Sequence, residues 1–151
     1  MRRHGLIVLT AGLMIAACAP KEDAVKKDYE RLTGTWILVS AVKDGKEVPE
    51  EEVKNTRLIT KGDKFTISGD PGLGTSGAGT FTIDPSKNPK TVDSVQSEGP
   101  DAGKTALGIY EIIDDNAKRA CWAPPGQARP SGFNSKPGSG HLLQVWKRVR
   151  E

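Results

Sequence analysis

A thiol stands at the end of an apolar run. Arg2 and Arg3 precede Leu6-Ile7-Val8-Leu9 and Leu13-Met14-Ile15, and the run stops at Ile15-Ala16-Ala17-Cys18. A basic start holds the cytoplasmic side, the apolar stretch is short for a bilayer span, and small residues before a cysteine admit a peptidase to the backbone. The chemistry this order suits is cleavage before Cys18 and acylation of its sulfur and new amino terminus, as in a bacterial lipoprotein. An ordinary secretory leader with an incidental cysteine, or an uncleaved anchor, are the alternatives.

Beyond Cys18 the search for reactive groups is mostly negative. The chain has two histidines, His4 in the leader and His141, so neither a histidine-based triad nor a multi-histidine metal site can be assembled. Gly74-Thr75-Ser76-Gly77-Ala78 misses the nucleophile-elbow pattern at its last position. The glycines at 72, 74, 77 and 79 lack the lysine and helix of a phosphate loop. Asp93, Glu98, Asp101 and Glu111 stand on separate segments and read as solvated acids. Cys121, flanked by Ala120 and Trp122, reads as a small buried hydrophobe; a redox role would need a lowered pKa, with Arg119 the nearby cation. Arg129, within Ala123-Pro124-Pro125-Gly126-Gln127-Ala128-Arg129-Pro130, is a candidate either to fasten that loop through backbone carbonyls or to bind an anion. No catalytic residue, metal or cofactor is expected.

Taking residues 1–17 from the 151 leaves 134, which suits one domain with a moderate core. The leader holds two of the 22 basic residues and none of the 19 acids, so the net charge falls from +3 to +1. Such a balance, with Lys and Arg scattered among acids, does not point to nucleic acid. With Cys18 acylated, Cys121 has no partner for a disulfide within the chain, and stability must come from packing.

The elements that position these residues are short strands. Residues 18–33 form a tether and short helix, with Val25, Tyr29 and Leu32 on one face. Thr35 to Val42 alternates as a strand, with Trp36, Leu38, Ser40 and Val42 on one side. Asp44-Gly45 signals a hairpin turn, and Glu50 to Val53 a helical turn. Further strands are expected at Arg57–Thr60, Lys64–Ile67, Gly79–Ile83, Thr91–Val95, Thr105–Ile113, Ala117–Trp122 and His141–Val149. About eight regularly spaced antiparallel strands fit a sandwich or a closed barrel, and closure removes the exposed edges of an open sheet. The fold class is therefore read as all-β, an up-and-down barrel. The segment Ala123 to Gly140, rich in Pro, Gly and Ser, should cross one end as a loop or lid.

Several segments also carry a resemblance. Gly34-Thr35-Trp36 after a short helix is similar to the opening of lipocalin-type barrels. More specific are Asp44-Gly45-Lys46, Asp84-Pro85-Ser86-Lys87, Gly108-Ile109-Tyr110-Glu111, Cys121-x-Ala123-Pro124-Pro125-Gly126-x-x-Arg129-Pro130 and Ser135-Lys136-Pro137-Gly138-Ser139-Gly140. From about residue 30 to 149 the chain resembles a family of small lipocalin-like domains abundant in planctomycete bacteria. The resemblance implies a lipocalin-like barrel in an exported protein; the family has no established activity, so it supplies no catalytic residues to carry over. Residues 69–77 depart from it, being longer and richer in glycine than the tight turn it implies.

The domains are then 1–17, a lipoprotein signal peptide; 18–33, the lipidated tether and helix; and 34–151, the barrel. Trp36 should close one end against Arg148, because a tryptophan early in the first strand meets a cation late in the last when the sheet closes. Leu38, Phe65, Ile67, Phe81, Ile83, Leu107, Ile109 and Trp122 are the candidate wall residues for a small apolar or amphipathic ligand. The expected protein is a non-enzymatic binding module, held by the lipid on Cys18 in the bacterial envelope. With Ala19 following the cysteine, it should sit at the outer membrane facing the periplasm. The alternative is a filled barrel that serves as a structural or protein-interaction domain of the envelope.

Overall fold

The computed structural model describes residues 19–69 and 76–150. Cys18 and the glycine-rich segment at 70–75 lie outside the described residues. The chain runs α1 (Ala19–Leu32), β1 (Gly34–Lys43), β2 (Lys46–Glu47), α2 (Glu50–Val53), β3 (Arg57–Lys61), β4 (Lys64–Ser68), β5 (Gly77–Asp84), β6 (Lys90–Gln96), β7 (Thr105–Ile112), β8 (Ala117–Trp122) and β9 (Leu142–Arg148). Each barrel strand pairs antiparallel with its neighbour, and β1 also pairs with β9. The sheet is thereby an eight-stranded closed barrel, with β2 appended to β1 as a ninth strand. This is the lipocalin-like all-β architecture expected. Closure leaves the barrel strands without a free edge.

The Asp44-Gly45 turn forms as its residues require, with φ of 49° and 79°. Only one feature of β1 departs from simple alternation. A β-bulge between Leu38 and Ser40 inserts Val39 as an unpaired residue, so Trp36 and Leu38 face inward, but beyond the bulge Ala41 is the buried residue. Ser40 and Val42, expected beside Trp36, are thus turned outward, because one extra residue reverses a two-residue period.

Helix α1 closes one end. Its C-terminal carbonyls receive three kinds of donor: Trp36 Nε1 donates to Leu32 O at 2.9 Å, Thr60 Oγ1 donates to the same oxygen, and Arg148 reaches Thr33 O at 2.7 Å and Arg31 O at 2.5 Å. A guanidinium there satisfies orphan carbonyls and complements the negative helix end. Gly34, at φ +140°, leaves room for it, since a Cβ at that position would collide with the Arg148 guanidinium. Leu32, Val25 and Tyr29 pack with Phe81, Ile83, Val92 and Tyr110, as the predicted helix face requires. Asp28, buried on the same helix, accepts from Lys90 Nζ at 2.7 Å and Tyr110 Oη at 2.8 Å, which ties α1 to β6 and β7. A second cluster of Trp36, Leu38, Ala41, Val53 and Trp146 fills the barrel beside β1.

The segment after β8 is ordered, and most of it is not a lid. It runs along the outside of β7 and β8, where Cys121 Sγ donates to Asn134 O at 3.3 Å and the Arg119 guanidinium lies 4.1 Å from the Phe133 ring. It is also pinned to the β1–β2 turn, by Gly140 N to Asp44 Oδ1 at 2.8 Å and Gly45 N to Ser135 Oγ at 3.1 Å. Only its two ends, at Pro124-Pro125 and Gly140, reach the rim of the barrel.

Candidate functional site

Between the two core clusters and the end opposite α1, the barrel encloses a cavity of about 350 Å³. That lies within the range of pockets that hold small molecules. Its mouth is framed by Lys43 at the end of β1, Asp101 and Lys104 before β7, and Pro124, Pro125 and Gly140. Asp101 and Lys104 are bound to each other at 3.0 Å. The wall is largely apolar because strand alternation sends one residue in two inward: Phe65 and Ile67 from β4, Phe81 and Ile83 from β5, and Trp122 from β8.

Those five were expected on the wall. The other three candidates stand elsewhere. Leu38 faces inward but is packed against Trp36 and Trp146 in the core, away from the cavity. Leu107 and Ile109 do not line the cavity; β7 sends Ala106 and Tyr110 into it instead. Ile109 is nevertheless only 1% exposed, since it pairs with Cys121 on the outer face beneath the long loop. The physical reason for the misassignment is that a covering loop makes both faces of β7 apolar, so alternation alone cannot say which is inside.

Trp36 and Arg148 are register partners on β1 and β9, and the guanidinium lies 4.1 Å from the indole. Arg129 fastens its loop: Nη1 donates to Gly108 O at 2.8 Å and Val92 O at 3.1 Å, and it meets Asp93 Oδ1 as an ion pair at 2.7 Å. Cys121 is fully buried, and desolvation pushes its thiol up from the usual value, away from the reactive thiolate. Among the described residues, no group of three or more His, Cys, Asp or Glu is gathered so as to hold a metal ion.

The residue that sequence reasoning missed is Lys118. It is 8% exposed, it lines the cavity, and its ammonium lies 4.3 Å from the Trp36 ring. Burial, with Arg148 nearby, pushes its pKa down to about 7. The signal that could have found it is parity on β8. If Trp122 faces inward, Ala120 and Lys118 must do so too. Arg119, also at the cavity, is paired with Glu111, and the neutral polar residues of the wall are Thr60, Ser94, Gln96, Tyr110 and Gln144, with Gln144 Oε1 accepting from Trp122 Nε1 at 3.2 Å.

Comparison with protein-family models, with curated proteins and with solved structures found no match for this chain. The motif resemblance to small lipocalin-like domains gains no support from them. A functional reading of this barrel therefore rests on its residues and their geometry.

Proposed function

We propose that this protein is a lipid-anchored binding module of the bacterial cell envelope, taking a small apolar or amphipathic ligand into the open end of its barrel. The observation that carries this reading is the cavity of about 350 Å³ with its apolar wall. Protein interiors are close-packed and their voids rarely exceed a water molecule, so a space this large serves a guest better than it serves stability. The ordered loop supports the same reading, because it braces the outside of the barrel and leaves the mouth framed, not plugged.

Anchoring rests on the leader. Two or more acyl chains on Cys18 hold a soluble domain firmly at a bilayer, where one chain does so marginally. Because α1 begins at Ala19 and closes the end opposite the mouth, such an anchor tethers the closed end and turns the mouth away from the lipid. Cys18→Ser in the native host should release the protein from the membrane fraction and abolish incorporation of a fatty-acid label. Retention with unchanged mobility, together with an unlabelled wild type, would remove the anchor from this account.

The cavity is tested by volume. Ala120 lies on the wall between Tyr110 of β7 and Gln144 of β9. Ala120→Phe should cost less than about 1 kcal/mol if it fills empty space, against roughly 1–3 kcal/mol for overpacking a full core. It should also reduce uptake of an apolar fluorescent probe such as N-phenyl-1-naphthylamine by tenfold or more. A strongly destabilised variant, with no probe uptake by the wild type, would favour a filled barrel acting as an envelope scaffold.

A further inference from the structure

Lys118 is an expensive residue to keep inside a barrel. A buried ammonium is normally paired, since removing it from water costs several kcal/mol that only a counter-charge or hydrogen bonds offset. Among the described residues, none accepts a hydrogen bond from Lys118 Nζ and no acid pairs with it; the group it meets is the Trp36 ring. Of the acids near this end of the barrel, Asp115 pairs with Arg31, and two others are likewise engaged. Asp28 is held by Lys90 and Tyr110, and Glu111 by Arg119 on the outer face. The nearest charge is a second cation, Arg148, whose guanidinium nitrogens are spent on the carbonyls of Arg31, Thr33 and Asp115.

The position of Lys118 along the barrel adds a direction. It stands near the start of β8, beside Trp36 and opposite Trp146 of β9, toward the end that α1 closes. Trp122 and Leu142 pair at the far end of the same two strands, next to the mouth. The cavity therefore has a cationic floor and an apolar shaft above it.

We propose that the ligand is an amphiphile with one carboxylate head and an unbranched alkyl tail, bound head-down on Lys118 with its tail toward the mouth. This rests on the cavity-binding reading above and specifies its ligand class. A carboxylate brings one negative charge and several acceptor sites to an ammonium with free donors, which is the pairing the floor lacks. Size agrees: a cavity of about 350 Å³ lies in the range of small-molecule pockets, and decanoate serves as a probe of medium length.

The test is titration calorimetry with decanoate and 1-decanol at mildly acidic pH, on wild type and Lys118→Met. Wild type should bind decanoate about tenfold to a hundredfold more tightly than decanol, the range of a charge-assisted hydrogen bond. Lys118→Met should lose that preference while binding decanol at least as well as wild type, which also reports that its barrel is folded and its cavity open. Equal binding of the two probes by wild type, or a preference that survives in Lys118→Met, would overturn the carboxylate assignment and leave the apolar cavity standing. Binding of neither probe by wild type would overturn the cavity reading and this assignment together.

Discussion

Trp36→Ala should lower the stability of the domain by about 3–5 kcal/mol, the cost of truncating a large aromatic side chain in a core that cannot collapse around the space left. Trp36 is fully buried, it packs with Leu38 and Trp146, and its indole nitrogen donates to Leu32 O. The substitution also strands the two cations that share the ring, Lys118 and Arg148. Arg148 in turn holds the C-terminal carbonyls of α1, so the helix that closes the barrel should loosen with it. Urea unfolding measures the loss, and proteolysis near α1 reports the loosening. A loss below about 1 kcal/mol would mean that Trp36 does not close the barrel.

That residue was legible because its role depends on chain position. A tryptophan early in the first strand and a cation late in the last must meet in any closed antiparallel barrel, whatever lies between. The same holds for the strand count and the Asp44-Gly45 turn, which depend on local alternation and on backbone conformations that few residues accept. What was hidden depends on context that is distant in sequence. Nothing local marks Val39 as a bulge, yet it decides which half of β1 faces in. Ile109 is as buried as a residue on the inner wall, but by a loop that begins 14 residues later and packs on the outside. The Asp28, Lys90 and Tyr110 cluster joins three elements across 82 residues. Lys118 is a different case: its inward position followed from the parity of β8, but charge argues for solvent, and only the closed barrel overrules it.

The second large effect runs in the stabilising direction. Lys118→Met should raise the stability of the unliganded domain by about 2–4 kcal/mol near neutral pH, because a methionine fills similar volume without a desolvated charge. The loss of the contact with Trp36, about 0.5–2 kcal/mol, is the smaller quantity. Proton linkage gives an independent check. The folded-state pKa of Lys118, about 7, lies below its ordinary 10.5, so between those values the unfolded chain binds more protons than the folded one. Wild-type stability should therefore rise as pH increases from 7 to 9, by at most about 1.4 kcal/mol per unit, as the unfolded state's advantage in proton binding is withdrawn. Above pH 9 the raised groups of Cys121 and Tyr110 act in the opposite sense, since their folded states then retain protons that the unfolded chain has lost. The difference between wild type and Lys118→Met, followed by urea unfolding at each pH, isolates the lysine: it should be largest at pH 7 and below and shrink toward pH 9. A variant less stable than wild type, or a difference independent of pH, would mean that Lys118 is already compensated in the free protein. The opposite result, a desolvation cost in the empty barrel that methionine removes, leaves Lys118 as a charge without a partner in the free protein, which is the premise of the carboxylate proposal.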